Sequence, residues 1–191
     1  MNPTVPPKLI LIMGLPCTGK STMARQLAQE LQLPLIAKDE IKEMLFDGMG
    51  FQDRDWSKKL GGMSYDLLYW SIDKVLRSGS SVLVDVDFSD PSHASERLRT
   101  LKETVPFQFL RINLISDGKV LYQRFQQRSL SGERHPGHVD HDNFDEFKPI
   151  LLRGRRKLLD VEGELLTVDT TIFESVEFEL VSLWIRDRLS N

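Results

Sequence analysis

Cysteine is nearly absent: Cys17 is the one cysteine in 191 residues. No intramolecular disulfide can form, which excludes the stapled, secreted scaffolds. Long apolar runs are missing too. The first one, Leu9 to Met13, is far short of the ~20 residues a membrane-spanning helix needs. Charge of one sign is not in excess either. Lys and Arg number 25 against 28 Asp and Glu, a formal net charge of −3, so no chain-wide basic field exists to gather the phosphates of a nucleic acid. Internal repeats and low-complexity tracts are lacking, which excludes solenoid and linker-rich architectures.

What is present is an ordinary globular balance, 40% apolar and 28% charged, sufficient to bury a core and incompatible with global disorder. At roughly 100–200 residues per domain, the length predicts one domain. Residues 1–7 (MNPTVPP) hold three prolines and no charged stretch ahead of an apolar core. They are expected to be a flexible leader before a single domain, residues 8–191, of a cytoplasmic protein.

Strand-like apolar runs alternate with helical periodicity along the chain. Strands are predicted over 8–13, 35–37, 81–86, 107–115 and 165–168. Helices are predicted over 19–33, from Asp39 onward, and over 65–77, 91–104, 118–130, 145–159 and 173–189. The stretch 51–62 reads as irregular. Gly132, Pro136 and Gly137 predict an open, mobile segment without ligand over 131–143, within a lid of about 129–143. Alternating strands and helices imply an α/β fold, a parallel sheet covered on both faces by right-handed crossovers.

The strongest signal is Gly14-Leu15-Pro16-Cys17-Thr18-Gly19-Lys20-Ser21, a complete GxxxxGK[ST] phosphate-binding loop between a buried strand and a helix. The two glycines let successive backbone N–H groups face one point, and the helix N-terminus adds its positive end. Lys20 supplies a compact charge for β- and γ-phosphates, and Ser21 a hard oxygen for Mg²⁺. Thr22 follows directly. Nucleoside triphosphate binding is the expectation.

In an open α/β sheet the ligand sits beyond the carboxyl ends of the strands. Asp39 follows the second strand there, and Asp85 and Asp87 the third. One carboxylate can hold Mg²⁺ and another can accept the proton of an attacking hydroxyl. The economical assignment is Asp85 for the metal and Asp39 for the hydroxyl. Either Asp85 or Asp87 could serve the metal, however, or Asp87 could bind substrate. Asp39 also fits a helix N-cap, a compatible role.

Arg124 and Arg128 are four apart and share a helix face. One guanidinium can stack on an adenine ring while the next reaches phosphate oxygens. Arg134, in the lid, is placed to arrive at the γ-phosphate on closure. His135, His138 and His141, interleaved with Asp140 and Asp142, raise a zinc alternative. Pro136 and Gly137 oppose the helix that would align the histidines, so loop structure and substrate contact are the expected roles. The basic run Arg153 to Lys157 reads as a solvated face.

Together these blocks resemble the P-loop small-molecule kinases, a group that takes in zeta toxins, chloramphenicol phosphotransferase, gluconate kinase and the kinase half of polynucleotide 5′-kinases. The blocks are GLPCTGKST at 14–22, AKDEIKEML at 37–45, GSSVLVDVDF at 79–88, LYQRFQQR through GERHPGH at 121–138, and VDTT at 168–171. The resemblance spans residues 8 to about 171. It implies a three-layer P-loop NTPase domain like that of nucleoside-monophosphate kinases, with strand order 2-3-1-4-5 and a mobile lid.

It also implies Asp39 as catalytic base, Lys20, Arg128 and Arg134 on the phosphates, and Ser21 with Asp85 at Mg²⁺. Arg124 would lie against adenine, with Asp169 and Thr170 beside it. Asp87 stands where relatives often carry Asn. The implied reaction is transfer of the γ-phosphoryl of ATP to a hydroxyl of a small molecule, with ATP and Mg²⁺ required and neither nucleic acid nor membrane as partner. Two other classes compete. A nucleotide-driven regulatory NTPase of the GTPase sort would need an Asn-Lys-x-Asp tetrapeptide, which the sequence lacks. A 5′-hydroxyl nucleic-acid kinase would use the 153–157 basic run.

Overall fold

The computed structural model describes residues 5–140 and 143–190. Residues 1–4 of the expected leader, and His141 and Asp142 of the histidine-rich stretch, lie outside the described residues.

Five parallel strands form one sheet: β1 (Lys8–Gly14), β2 (Leu35–Ala37), β3 (Val82–Val86), β4 (Gln108–Ile115) and β5 (Glu164–Asp169), in the order β2-β3-β1-β4-β5. Every residue of the central β1 is buried, which explains its unbroken apolar run: a parallel strand in mid-sheet has no solvent face. Alternate side chains feed two cores. On one face Leu9, Leu11, Val82 and Val84 pack with Leu68 and Ile72 of helix α3 (Arg54–Arg77) and Leu98 of α4 (Pro91–Thr104). On the other, Ile10, Ile12, Leu83 and Ile112 pack with Met23 and Leu27 of α1 (Lys20–Leu31) and Ile185 of α7 (Phe178–Leu189). The three layers and the strand order agree with the sequence expectation.

Helix α2 (Lys38–Met49) leads from β2 into α3. Helices α5 (Gly118–Ser131) and α6 (Phe144–Leu151) flank the lid stretch and share a third cluster of Leu15, Leu121, Phe125 and Leu151. No helix among the described residues is long and apolar enough to cross a membrane.

Three local expectations are corrected. The stretch 51–62 is not irregular throughout: α3 begins at Arg54, because the Asp53 carboxylate caps it by accepting from Trp56 N at 2.9 Å. This capping overrides the two glycines that suggested a break. Helix α6 stops at Leu151 rather than 159. Beyond it Leu159 and Val161 are buried with a spacing of two, an extended pattern, and Arg111 holds this stretch by donating to the Leu159 and Gly163 carbonyls at 3.0 and 2.8 Å.

The third concerns the lid. Its 3-10 turn at Pro136–His138 is docked on α2, not open. A Cβ on Gly137 would fall 2.5 Å from the Phe46 ring, so the glycine that suggested looseness is what permits close packing. Phe46 is 1% exposed; the His135 ring stacks on it at 5.2 Å and His138 meets its edge at 5.4 Å.

Candidate active site

A cavity of about 940 Å³ opens beyond the carboxyl ends of β1, β2 and β3. One wall is the glycine-rich loop. Gly19, at φ +86°, takes a left-handed conformation costly for other residues, and a Cβ there would come within 2.2 Å of the Phe173 ring. The Leu15 carbonyl accepts from Thr18 Oγ1 at 2.8 Å and from Lys20 Nζ at 2.9 Å. The Lys20 ammonium is therefore held by the loop itself. Pro16, Cys17, Gly19, Lys20, Ser21 and Thr22 line the cavity; Gly14, Leu15 and Thr18 shape the loop from behind. Burial pushes the Cys17 thiol up in pKa despite nearby Arg128 and Lys20, so Cys17 is a packed thiol.

Ser21 Oγ donates to Asp85 Oδ2 at 2.6 Å. Parallel pairing of β1 with β3, Ile12 beside Asp85, fixes this meeting. Asp85 is 6% exposed, and burial raises its pKa against the opposing influence of Lys20 and the Ser21 hydroxyl. A hydroxyl and one carboxylate at the phosphate loop are a hard-oxygen pair suited to Mg²⁺, which takes few protein ligands and keeps waters and phosphates. The donor set fits that ion. Among the described residues no group of three His, Cys, Asp or Glu side chains could hold a metal. His135 faces Asp47 at 3.1 Å and His138 faces Glu43 at 2.9 Å instead.

Asp39 lies opposite, at the start of α2, half-buried. Arg134 Nη2 donates to its Oδ2 at 3.0 Å and Lys38 Nζ to its Oδ1 at 3.3 Å. Desolvation works to raise its pKa, yet the charges of Lys38 and Arg134 hold Asp39 well below the usual carboxylate range. It does not cap α2 through its side chain. Arg134 also reaches Asp140 Oδ2, 2.6 Å from its Nε, and donates through Nη2 to His138 Nδ1 at 3.1 Å. A guanidinium only donates, so His138 Nδ1 accepts, and its proton sits on Nε2 toward Glu43. Burial, the chief influence, lowers the pKa of His138 and so favours this neutral ring.

Arg128 lines the cavity with Nε and Nη2 buried and without hydrogen bonds among the described residues. Its nearest acid, Asp140, is 3.6 Å away. Arg124 lines it as well, its guanidinium fixed by the Thr170 and Thr171 carbonyls at 2.9 and 3.0 Å. Asp169 and Thr170 do not reach the cavity. Thr170 is fully buried, bonded to the Ile115 carbonyl, and Asp169 accepts from Thr171 N. They support Arg124 from outside.

Asp87 faces the cavity in a bidentate pair with Arg156, at 2.7 and 2.8 Å, while Tyr65 donates its hydroxyl to the Asp87 carbonyl. Arg156 is thus part of the cavity wall, which corrects the solvated-face reading for that member of the basic run. Sequence reasoning also missed Lys42, Glu43 and Phe46. Together with Asp39 they recur at three- and four-residue steps along α2, and that spacing could have marked one functional face.

A family model described as "AAA domain" matches residues 9–150. Among solved structures, a candidate kinase from Chloroflexus aurantiacus J-10-fl is 36% identical, with TM-score 0.88, covering 96% of this chain and 99% of that one. A sugar kinase from Janibacter sp. HTCC2649 is 16% identical with TM-score 0.57, the match covering 97% and 95% of the two chains. A gluconokinase from Sinorhizobium meliloti 1021 is 18% identical with TM-score 0.50, covering 97% and 93%. These last two share the fold. No curated protein matches the sequence.

Proposed function

The chain belongs to the AAA domain family matched over residues 9–150, and from that premise we propose that it is an ATP-dependent kinase moving the γ-phosphoryl of ATP to a hydroxyl of a small-molecule acceptor, in one catalytic domain. The observation that carries the reading is the cavity itself, with Lys20, Ser21 and Asp85 on one wall and Asp39 under Arg134 on the other. The kinase description of the 36%-identical Chloroflexus protein supports it.

In this reading the loop amides and Lys20 bind the β- and γ-phosphates, after Lys20 leaves the Leu15 carbonyl. Ser21 and Asp85 would hold Mg²⁺, which would offset charge on the phosphate oxygens. Arg124 lies flat against adenine, and the unsatisfied donors of Arg128 take phosphate oxygens. Asp39 orients the acceptor hydroxyl and accepts its proton.

A carboxylate so strongly stabilised as an anion is a weak base. The arrangement relieves this. When Arg134 leaves Asp39 for the transferring phosphoryl, one of the cations depressing Asp39 departs, and its basicity rises as the hydroxyl needs it. The same movement delivers positive charge to the transition state.

Incubation with γ-labelled ATP and Mg²⁺ against sugars, sugar acids, antibiotics, nucleosides and oligonucleotides tests the reading. Label on a small-molecule hydroxyl is the expected result. Acceptor-independent hydrolysis would instead indicate a regulatory NTPase, and label on an oligonucleotide end a nucleic-acid kinase.

A further inference from the structure

Of the cations on the acceptor side of the cavity, Lys42 is the one that the described residues leave without an ion pair. Lys42 is 5% exposed and lines the cavity. Its ammonium donates to Ser57 Oγ at 2.9 Å and lies 5.1 Å from the centre of the Phe46 ring. Neighbouring cations are matched by acids: Arg54 by Glu146, Arg156 by Asp87, Lys38 by Asp39. Lys42 forms no ion pair among the described residues. An ammonium offers three donors, and one hydroxyl fills only one of them. A buried charge without a counter-charge is costly. The cost is visible in its acidity: burial, then the charge of Lys38, brings the Lys42 pKa down to about 7.

The wall beside Lys42 is bare. Gly61 and Gly62 sit in the middle of α3 and both line the cavity. Each glycine destabilises a helix interior relative to alanine. Helix packing does not demand them. A Cβ on Gly61 would stand 3.7 Å from Lys42 Cε, an ordinary contact, and a Cβ on Gly62 would meet nothing within 4 Å. The missing side chains keep space open next to an unneutralised, buried cation.

We propose that Lys42 and the Ser57 hydroxyl, beside the Gly61–Gly62 wall, form a subsite for an anionic group, so that the acceptor is a hydroxylated small molecule carrying a carboxylate or a phosphate. The word acceptor rests on the kinase reading; the anion subsite does not. An entering anion supplies the counter-charge that the fold withholds and fills the free donors of Lys42. A neutral acceptor would leave the ammonium buried and unpaired. The rival account makes Lys42 a structural post held by Ser57 and Phe46.

The protein saturated with a non-hydrolysable ATP analogue, so that the phosphate loop cannot compete, is treated with formaldehyde and cyanoborohydride at pH 7. Methylation of each lysine is followed by peptide mass spectrometry with malonate, inorganic phosphate or glycerol added. Slowing of Lys42 methylation about tenfold by malonate or by phosphate, with exposed lysines unaffected, is expected. Which anion protects identifies the carboxylate or the phosphate. No protection by either, or equal protection by glycerol, overturns the subsite. Lys42→Met should leave the melting temperature unchanged or raised, whereas a clear fall would establish the structural post and overturn the proposal. Transfer of label to a neutral acceptor while anions fail to protect Lys42 would sink the subsite and leave the kinase reading standing. Protection without transfer to any acceptor would do the reverse.

Discussion

The two walls of the cavity are built on different principles. The phosphate-loop wall hangs from central strands: the loop carrying Lys20 and Ser21 follows β1, Asp85 lies next to the last residue of β3, and the pairing of β1 with β3, with the loop and the first turn of α1, brings Ser21 to 2.6 Å from Asp85. The opposite wall is assembled from helix α2 and the docked lid, elements some 95 residues apart in the chain, joined by Arg134 to Asp39 and by His138 to Glu43. In the proposed reading Lys20 is the one side chain of the first wall that rearranges. The second is a set of hydrogen-bonded pairs that closes on itself, Arg134 on Asp39 and His138 on Glu43. Nucleotide binding is therefore expected to depend on the first wall, and turnover on the second.

Substitutions can break this division. The largest effect is expected at Arg134. Arg134→Ala should lower kcat by on the order of 10³–10⁵, as for an arginine that meets transition-state charge. A comparable rise in the KM for ATP with kcat intact would place Arg134 on the wrong wall. Next comes Asp39→Asn, expected to lower kcat by on the order of 10²–10⁴. Loss of thermal stability with turnover preserved would instead make Asp39 a structural partner of Arg134. Arg124→Ala should be milder. It removes a stacking plane present in ground and transition states alike, so the KM for ATP should rise ~2- to 30-fold, equivalent to ~0.5–2 kcal/mol, with kcat little changed.

The smallest effect concerns pH. The folded pKa of His138 lies below its ordinary value of 6.5. Its contribution to lid docking is therefore fully present above pH 6.5 and is lost as pH falls through the lowered value. A protonated ring can no longer accept from Arg134. Protection of the amides of residues 132–140, taken relative to their intrinsic exchange rate at each pH, should fall on acidification below pH 6.5, and His138→Gln should flatten that dependence. Protection that does not change with acidification would remove His138 from the latch.

The same contrast explains what could be read from sequence. The first wall is nearly contiguous: GLPCTGKS carries the loop, and the buried run ending at Asp85 carries its partner, so motif and strand periodicity suffice. The layers were legible from the alternation of strands and helices, whereas the strand order was implied by the family resemblance. The second wall depends on contacts distant in sequence. Glycine and proline in the lid suggested openness, although Gly137 serves to seat the turn on Phe46. Arg156 looked like one member of a solvated run, because nothing local announces Asp87 as its partner. Asp169 and Thr170 were expected beside adenine by resemblance, yet neither lines the cavity; Thr170 gives its carbonyl to Arg124 and Asp169 accepts from Thr171 N. The Asp53 cap was legible in principle, but the glycine pair in α3 outweighed it.

The most direct test of the division is calorimetric titration of Mg²⁺-ATP into two variants, Lys20→Met and Arg134→Ala, in the absence of acceptor. The account predicts that Lys20→Met loses most of its ATP affinity while Arg134→Ala binds ATP as the unaltered protein does, although it no longer transfers phosphate. Equal loss of affinity in both variants would contradict it.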